Sequence, residues 1–276
     1  MRAEVMKMET ENKLVPFSRN PKNEMLFGSS AYMEALARMQ LMVQHRYFGV
    51  LTGEVGSGKS TLVRHLVQTL DPMRYQVIYL SQAGMKPRDF YGEMLRHLGE
   101  EPLFSLTKAK RLFEEVLRTR VEQGDKSLVV IIDEAQDITP AMLLELRFAL
   151  NQQMDSVSLF TLILVGQSEL RRTLRKNKFE AVAQRIQLRF HLTGLTEEES
   201  ADYIRHQMKT AAMTSPLFSD SALQLIYSAT QGIHRLINHI CTYALYDAQQ
   251  RGSDVVEDKD IGRILADMER QRGTAG

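Results

Sequence analysis

Residues 53–60 read Gly-Glu-Val-Gly-Ser-Gly-Lys-Ser, and this stretch decides how the rest of the chain is interpreted. The pattern Gly, four residues, Gly-Lys-Ser is typical of a phosphate-binding P-loop. An apolar run at 47–51 precedes it and a helix-like run follows from Thr61, which is the strand–turn–helix context that such a loop needs. A chance glycine turn is the alternative, and the flanking runs argue against it. The stretch therefore predicts that the protein binds a nucleoside triphosphate.

Each residue type in this loop has a chemical reason to be there. The glycines let backbone N–H groups converge on phosphate oxygens without a Cβ in the way, and the helix N-terminus adds partial positive charge. We expect Lys59 to reach the β- and γ-phosphates and the Ser60 hydroxyl to ligate Mg²⁺. The residues predicted to bind ATP are Gly53, Glu54, Val55, Gly56, Ser57, Gly58, Lys59, Ser60 and Thr61.

Composition narrows the class of protein. The chain has 276 residues, a net charge of +1 and one cysteine, Cys241. That length accommodates two domains or one large one. The single cysteine and the lack of an apolar signal core at the N-terminus predict a cytoplasmic location. No apolar run approaches the ~18 residues of a membrane-spanning helix, so no membrane partner is expected. The balanced charge leaves any nucleic-acid binding to local basic patches.

The order of apolar runs predicts an α/β fold. Strands are predicted at 47–51, 75–80, 128–132, 159–165 and 185–192. One helical pattern begins at Ser29 or Ser30, before the first strand. Others lie between the strands: 88–123 is rich in helix, and two more cover 140–154 and a basic stretch at 168–178. Continuous apolar runs are typical of strands buried on both faces. We therefore expect a five-stranded parallel P-loop sheet with helices on both faces.

The pattern changes at Thr196, where Thr196 and Glu199 form a capping box. Helices are predicted near 197–212, 219–231 and 233–250, with a short one from about residue 257. The predicted domains are a lead-in at 1–28, an ATPase domain at 29–195 and a small all-helical lid at 196–276.

The apolar run at 128–132 ends in two acids, Asp133 and Glu134, as a Walker B strand does. Asp133 is expected to hold Mg²⁺ directly or through water. Glu134 is expected to polarise the water that attacks the γ-phosphate. A strand that merely ends in solvated acids is the alternative. The position of the pair, 74 residues after Lys59 within a strand–helix repeat, favours the catalytic interpretation.

The strand predicted at 159–165 is followed by Gly166 and Gln167. Ligands of doubly wound sheets lie at the carboxyl ends of the strands. Gln167 is therefore the candidate sensor for the γ-phosphate or the attacking water, and a turn glutamine facing solvent is the alternative.

Four segments resemble a known superfamily. Residues 52–60, 133–136, 164–170 and 183–186 read TGEVGSGKS, DEAQ, LVGQSEL and AQRI. With a helical C-terminal region, they resemble an AAA+ ATPase of the ExeA-like branch, which is similar to the transposition ATPases of the TniB and TnsC kind. The resemblance spans residues 16–248, nearly the whole chain. It implies the AAA+ fold and hydrolysis of ATP to ADP and phosphate, with Mg²⁺ as the cofactor.

The resemblance also implies a homo-oligomer, a ring or a helical filament, in which a neighbour supplies an arginine finger to each ATP. Arg185 occupies the position of that finger. Arg189 is the fallback candidate, and strand alternation would place it on the same face as Arg185, so a variant of one arginine does not exclude the other. Arg235 fits the second sensor at the start of a lid helix. The alternatives are an arginine paired with a surface acid and a helix-surface arginine after a C-cap glycine.

Two basic features are candidates for contact with DNA. Lys86 and Arg88, with Arg96 two turns beyond, follow the second strand, a region that lines the central channel in TnsC-like ATPases. Residues 171–178 hold five basic residues in eight, and a subunit interface or a solvated face is an equal possibility there. Backbone contacts of this kind tolerate any sequence and depend steeply on salt.

Two functions from different classes remain open. The leading hypothesis is an ATP-dependent, self-assembling regulator of transposition that binds duplex DNA, recruits a transposase and works with a target selector. Hydrolysis would then take the assembly apart. The alternative is a secretion-system assembly ATPase of the ExeA kind, which in that family carries a transmembrane segment and a peptidoglycan-binding domain after the ATPase. We expect neither here. A signalling or defence ATPase with a separate effector chain is a third hypothesis.

Overall fold

The structure is a computed structural model, and it describes residues 14–18, 21–149, 158–271 and 273. Its contacts divide the chain into two compact units. The sheet unit comprises Tyr32–Glu54 and Lys59–Leu192, and the helical unit comprises Met1–Ala31, Val55–Gly58 and Thr193–Gly276. The elements up to the end of the sheet are α1 (Ser30–His45), β1 (Phe48–Gly53), α2 (Lys59–Thr69), β2 (Tyr75–Leu80), α3 (Pro87–His97), α4 (Leu106–Glu122), β3 (Ser127–Ile132), α5 (Pro140–Ala149), β4 (Thr161–Gly166), α6 (Ser168–Leu174), α7 (Glu180–Ala183) and β5 (Leu188–Leu192).

The sheet confirms the predicted α/β class. Its five strands are all parallel, in the order β2-β3-β4-β1-β5. Every residue of β1 and β4 is buried, and so are the last five residues of β3. Strands buried on both faces explain the continuous apolar runs in the sequence. The order places the carboxyl ends of β1, β3 and β4 side by side at one edge of the sheet.

One predicted helix is shorter in the structure. The basic stretch at 168–178 is not one helix: α6 ends at Leu174, Lys176 is extended, and a 3₁₀ turn covers Asn177–Phe179. Leu170, Leu174 and Phe179 are buried. A continuous helix would turn Asn177 and Lys178 toward the core in place of Phe179, because buried positions recur every three or four residues. For the helix predicted at 140–154, α5 is observed to Ala149 and residues 150–157 lie outside the described residues.

The last strand begins three residues later than predicted, at Leu188 rather than Arg185. The backbone before it is still helical, since the N–H groups of Gln184 and Arg185 donate to the carbonyls of Glu180 and Val182. The first sheet hydrogen bond is made by Gln187, whose N–H donates to the Phe48 carbonyl at 2.9 Å.

The helical unit is built from α8 (Glu197–Thr210), α9 (Asp220–Thr230), α10 (His234–Arg251) and α11 (Asp258–Gln271). The predicted capping box is confirmed: Glu199 N–H donates to the Thr196 hydroxyl at 3.1 Å, and Thr196 N–H donates to the Glu199 carboxylate at 3.2 Å. The prediction that this region is all-helical was too strict. A parallel pair of two-residue strands, β6 (Leu217–Phe218) and β7 (Val255–Val256), joins the loops between its helices.

The described part of the lead-in packs into the helical unit. Phe17 and Met25 are buried, with 4% and 2% of their surface exposed. The side-chain amide of Gln207 ties both to α8: it accepts from Phe17 N–H at 3.3 Å and donates to the Met25 carbonyl at 2.7 Å. Cys241 belongs to the same core and is fully buried, and burial raises the pKa of its thiol, so it is a packing residue.

No helix within the described ranges is long and apolar enough to cross a membrane.

Candidate functional site

The predicted P-loop follows β1, a fully buried strand between β4 and β5 in the sheet. Two of its residues adopt left-handed backbone conformations: Gly56 has φ of 85° and Gly58 has φ of 104°. A side chain would be strained at either position. α2 begins at Lys59, so the first turn of a helix directs its unpaired N–H groups at the end of the loop. This backbone has the form that binds phosphate.

The two polar side chains of this loop that are buried fit a phosphate ligand. The amino group of Lys59, a residue only 9% exposed, donates to the carbonyls of Gly53 and Glu54, each at 2.9 Å. The hydroxyl of Ser57 is buried and has no hydrogen-bond partner among the described residues. A buried hydroxyl without a partner is costly, and a phosphate oxygen would supply one. Ser60 is exposed at the helix start, where its hydroxyl could hold Mg²⁺.

Asp133 and Glu134 directly follow β3, as predicted. Asp133 is 7% exposed, and both of its carboxylate oxygens accept hydrogen bonds. Oδ1 accepts from Glu134 N–H at 2.8 Å, and Oδ2 accepts from the hydroxyl of Tyr79 on β2. Burial and then this hydrogen bond raise the pKa of Tyr79, so its hydroxyl is a donor at neutral pH. Glu134 has a left-handed backbone, with φ of 49°, and its side chain is exposed.

The structure brings Gln167 to Glu134 and adds Gln136, a residue to which sequence reasoning gave no role. Nε2 of Gln136 donates to Oε2 of Glu134 at 2.7 Å, and Nε2 of Gln167 donates to the same oxygen at 3.2 Å. Oε1 of Gln136 accepts from the backbone N–H of Gln167 at 2.9 Å. A side chain at Gly166 would exclude this arrangement, because a Cβ there would lie 2.9 Å from Oε1 of Gln136. The signal for Gln136 was present in the Asp-Glu-Ala-Gln motif, two residues after the predicted base.

Two further contacts near the strand ends were also missed. The Ser168 hydroxyl donates to the Glu54 carboxylate, which links the start of the P-loop to the start of α6. The Thr52 hydroxyl lies 3.0 Å from Nδ1 of His191 on β5. Burial, followed by the charge of Arg171, lowers the pKa of His191. These pairs join residues far apart in sequence, so no local pattern could indicate them.

The two candidate finger arginines differ in environment. Arg185 is half-buried in the turn after α7, whereas Arg189 is exposed on β5, one of the two edge strands of the sheet. The guanidinium of Arg189 donates to the Ala183 carbonyl. The expectation that strand alternation puts both on one face was wrong, because Arg185 precedes the strand.

Arg235, the candidate second sensor, is the second residue of α10 and lies next to Gly56 of the P-loop. Its backbone N–H donates to the Gly56 carbonyl at 3.1 Å, and a Cβ on Gly56 would lie 2.5 Å from the Arg235 Cβ. Gly232, with φ of 73°, permits the chain to enter this helix, since a Cβ there would lie 2.0 Å from the Leu195 carbonyl oxygen. The glycines of the loop and of the helix start are thus needed for close backbone approach.

The basic residues proposed to contact DNA are exposed. Lys86 precedes α3, and its backbone N–H donates to the Asp89 carboxylate at 2.9 Å. The guanidinium of Arg88 lies 5.1 Å from the ring centre of Phe104. Arg96 forms an ion pair with Glu93 one turn earlier. Its charge is therefore partly neutralised, and Lys86 and Arg88 are the stronger candidates.

Comparisons with known proteins agree with this geometry. Residues 41–174 match a family model described as an AAA domain. The chain is 35% identical over 265 residues to General secretion pathway protein A of Aeromonas hydrophila, across 94% of this chain and 48% of that protein. The chain thus spans about half the length of this curated relative.

Solved structures show the same fold. The ORC2 protein of Aeropyrum pernix, in its ADPNP–ADP complexes, has a TM-score of 0.60 at 18% identity, over 91% of this chain and 70% of that one. The ORC1 protein of the same organism, in complex with DNA, also has a TM-score of 0.60, at 15% identity, over 91% and 68% of the two chains. The chain therefore has the AAA+ fold of an ATPase that uses ATP and Mg²⁺, and its sequence is similar to that of General secretion pathway protein A.

Proposed function

We propose that ATP-bound protomers of this chain associate, that each nucleotide lies at the boundary between two protomers, and that hydrolysis weakens the association. The observation that carries this proposal is the cluster of Glu134, Gln136 and Gln167 at the carboxyl edge of the sheet. It holds a carboxylate ready to act on water. Arg189 lies on an edge strand, where a neighbouring protomer can approach.

The chemistry follows from the residues of one protomer. Lys59 would exchange its two backbone carbonyl partners for phosphate oxygens, and Ser60 and Asp133 would hold Mg²⁺. Mg²⁺, when bound, neutralises charge on the β- and γ-phosphate oxygens. Glu134 accepts the proton of the attacking water as its oxygen bonds to the γ-phosphorus and the bond to the bridging oxygen of ADP breaks. Gln167 aligns that water, and Arg235 couples the nucleotide state to the helical unit.

The finger completes the site from the neighbouring protomer. A guanidinium that neutralises charge in the transition state contributes about 10³-fold or more in rate. Arg185 and Arg189 are the candidates. Because the same nucleotide is then contacted by two protomers, cleaving it removes part of the interface.

For the biological process, we propose assembly on duplex DNA in the cytoplasm, with a transposase and a target selector as partners. Three observations support this: the segments that resemble TniB and TnsC ATPases, the exposed Lys86 and Arg88, and an AAA+ neighbour of known structure in complex with DNA. A role in assembling a secretion system is the second candidate. The 35% identity to General secretion pathway protein A favours it.

Mass photometry and electron microscopy with ATP or ADP, each with and without duplex DNA, test both proposals: association of protomers with ATP, and assembly on DNA. We expect large assemblies with ATP and DNA, and none with ADP. Assemblies that form with ATP but never include DNA would favour the secretion role. Protomers that stay single with ATP, with or without DNA, would contradict self-assembly.

A further inference from the structure

The hydroxyl of Tyr79 lies against the carboxylate that follows β3. Tyr79 is on β2, which is paired in parallel with β3, and its hydroxyl donates to Oδ2 of Asp133. The backbone fixes the two residues relative to each other, because Asp133 N–H donates to the Leu80 carbonyl at 2.8 Å. Two neighbouring strands therefore build this contact.

Packing does not account for Tyr79. Its neighbours Ile78 and Leu80 are buried, with 1% and 6% of their surface exposed, whereas Tyr79 is 49% exposed. Side chains alternate along a strand, so Tyr79 stands on the face opposite to its two buried neighbours. Its hydroxyl donates to the Asp133 carboxylate, so the side chain is held by a polar contact at the end of β2.

These contacts determine how Asp133 can rotate. Its Oδ1 accepts from Glu134 N–H and its Oδ2 accepts from Tyr79, so both oxygens are fixed in direction. A carboxylate oxygen accepts about two hydrogen bonds or metal contacts. Oδ2 therefore keeps one free direction after accepting from Tyr79.

We propose that Tyr79 is a positioning residue that holds the Asp133 carboxylate in the orientation that binds the Mg²⁺ of the nucleotide. The inference rests on the role proposed above for Asp133, which is to hold Mg²⁺. Removing an outer partner of a metal ligand costs about 10- to 100-fold in metal affinity. Without the hydroxyl, the Asp133 side chain has to be reoriented each time metal binds.

Manganese binding to the full chain in the presence of saturating ADP tests this directly. Electron paramagnetic resonance measures free Mn²⁺, and fluorescence of a labelled ADP in EDTA measures metal-free nucleotide affinity. The variant is Tyr79→Phe, with Tyr75→Phe as the control, since Tyr75 lies opposite Ser127 at the other end of β2. We expect Tyr79→Phe to raise the dissociation constant of Mn²⁺ about 10-fold, with metal-free ADP affinity and melting temperature unchanged.

The outcomes of this experiment distinguish the role of Tyr79 from the role of Asp133. An Mn²⁺ affinity of Tyr79→Phe equal to that of the wild type, or an equal loss in Tyr75→Phe, overturns the role of Tyr79. Equal losses of metal and metal-free ADP affinity in Tyr79→Phe overturn it too, because they indicate a general distortion. Asp133→Asn serves as the reference. If it loses Mn²⁺ binding and Tyr79→Phe does not, only the tyrosine inference fails. If Asp133→Asn keeps full binding, the role of Asp133 fails and the inference with it.

Discussion

The side-chain amide of Gln136 donates a 2.7 Å hydrogen bond to the carboxylate of Glu134, two residues before it. The same side chain accepts from the backbone of Gln167, which follows a different strand. Gln136 thus joins the two strand ends that hold the predicted base and the predicted sensor.

We predict that Gln136→Ala lowers kcat for ATP hydrolysis about 10-fold, because a base that loses its orienting partner spends less time in the reactive geometry. Binding of ATP should not change, since Gln136 does not belong to the P-loop. Steady-state hydrolysis and nucleotide titration measure the two effects separately. Gln123→Ala, at the exposed end of α4, is the control. A variant that weakens ATP binding and keeps kcat would show that Gln136 acts elsewhere.

Glu134→Gln tests the base itself. Removing the carboxylate should lower hydrolysis by about 10²- to 10⁴-fold, while ATP binding persists. We therefore expect the ATP-bound assembly to accumulate, as seen by electron microscopy or mass photometry. Glu169→Gln, an exposed acid on α6 that pairs with Arg172, serves as the control. Single protomers in Glu134→Gln with ATP present would count against nucleotide-dependent assembly.

The sequence alone was enough to predict the elements that depend on local pattern. The second strand was predicted at its observed limits, 75–80, and Gly56, Gly58 and the capping box at Thr196 have the geometry that their motifs require. The predictions from sequence failed where packing between residues far apart in the chain determines the end of a helix. The break after α6 depends on burial of Phe179, which no helix propensity indicates.

The same limit applies to the site. Asp133 and Glu134 were predicted as site residues because a strand followed by acids is a local pattern. Their partners Tyr79 and Gln167 reach them from neighbouring strands, and only the strand order places these residues together. Topology alone indicated Gln167, and nothing in the sequence around Tyr79 suggested a contact with Asp133.

His234 gives the helical unit a predicted pH dependence. Its Nδ1 is buried without a partner among the described residues, and burial lowers the pKa of His234 to about 4, against the smaller opposing effects of the Ser57 backbone and Glu199. The unfolded state takes up a proton near the ordinary pKa of 6.5 and the folded state does not. Stability is therefore complete above pH 6.5 and decreases as the pH falls toward 4.

We expect His234 to lower the free energy of unfolding by about 2 kcal/mol between pH 7.5 and pH 5. Denaturant unfolding at both pH values measures it, and His234→Gln should remove most of that difference. His239→Gln, an exposed histidine on the same helix, should keep it. An equal pH dependence in wild type and His234→Gln would show that other groups cause the acid sensitivity.

Lys86→Ala/Arg88→Ala tests contact with DNA. Each phosphate contact adds about 0.9 to the slope of log affinity against log salt, so the double variant should lower that slope by about 2. Fluorescence anisotropy of labelled duplex over a salt series measures it. Lys176→Ala/Lys178→Ala removes the same number of positive charges from the basic stretch after α6, and we expect it to change the salt slope less. DNA-bound filaments unchanged in the first variant would rule out this surface.

The claim that two protomers share each catalytic site is tested most directly by mixing two inactive variants. Lys59→Ala removes the P-loop lysine and keeps both finger candidates, whereas Arg185→Ala/Arg189→Ala keeps the P-loop and removes the fingers. The account predicts that each alone is nearly inactive and that the mixture hydrolyses ATP well above the sum of the two. A mixture no faster than that sum, with the arginine variant active by itself, would contradict it.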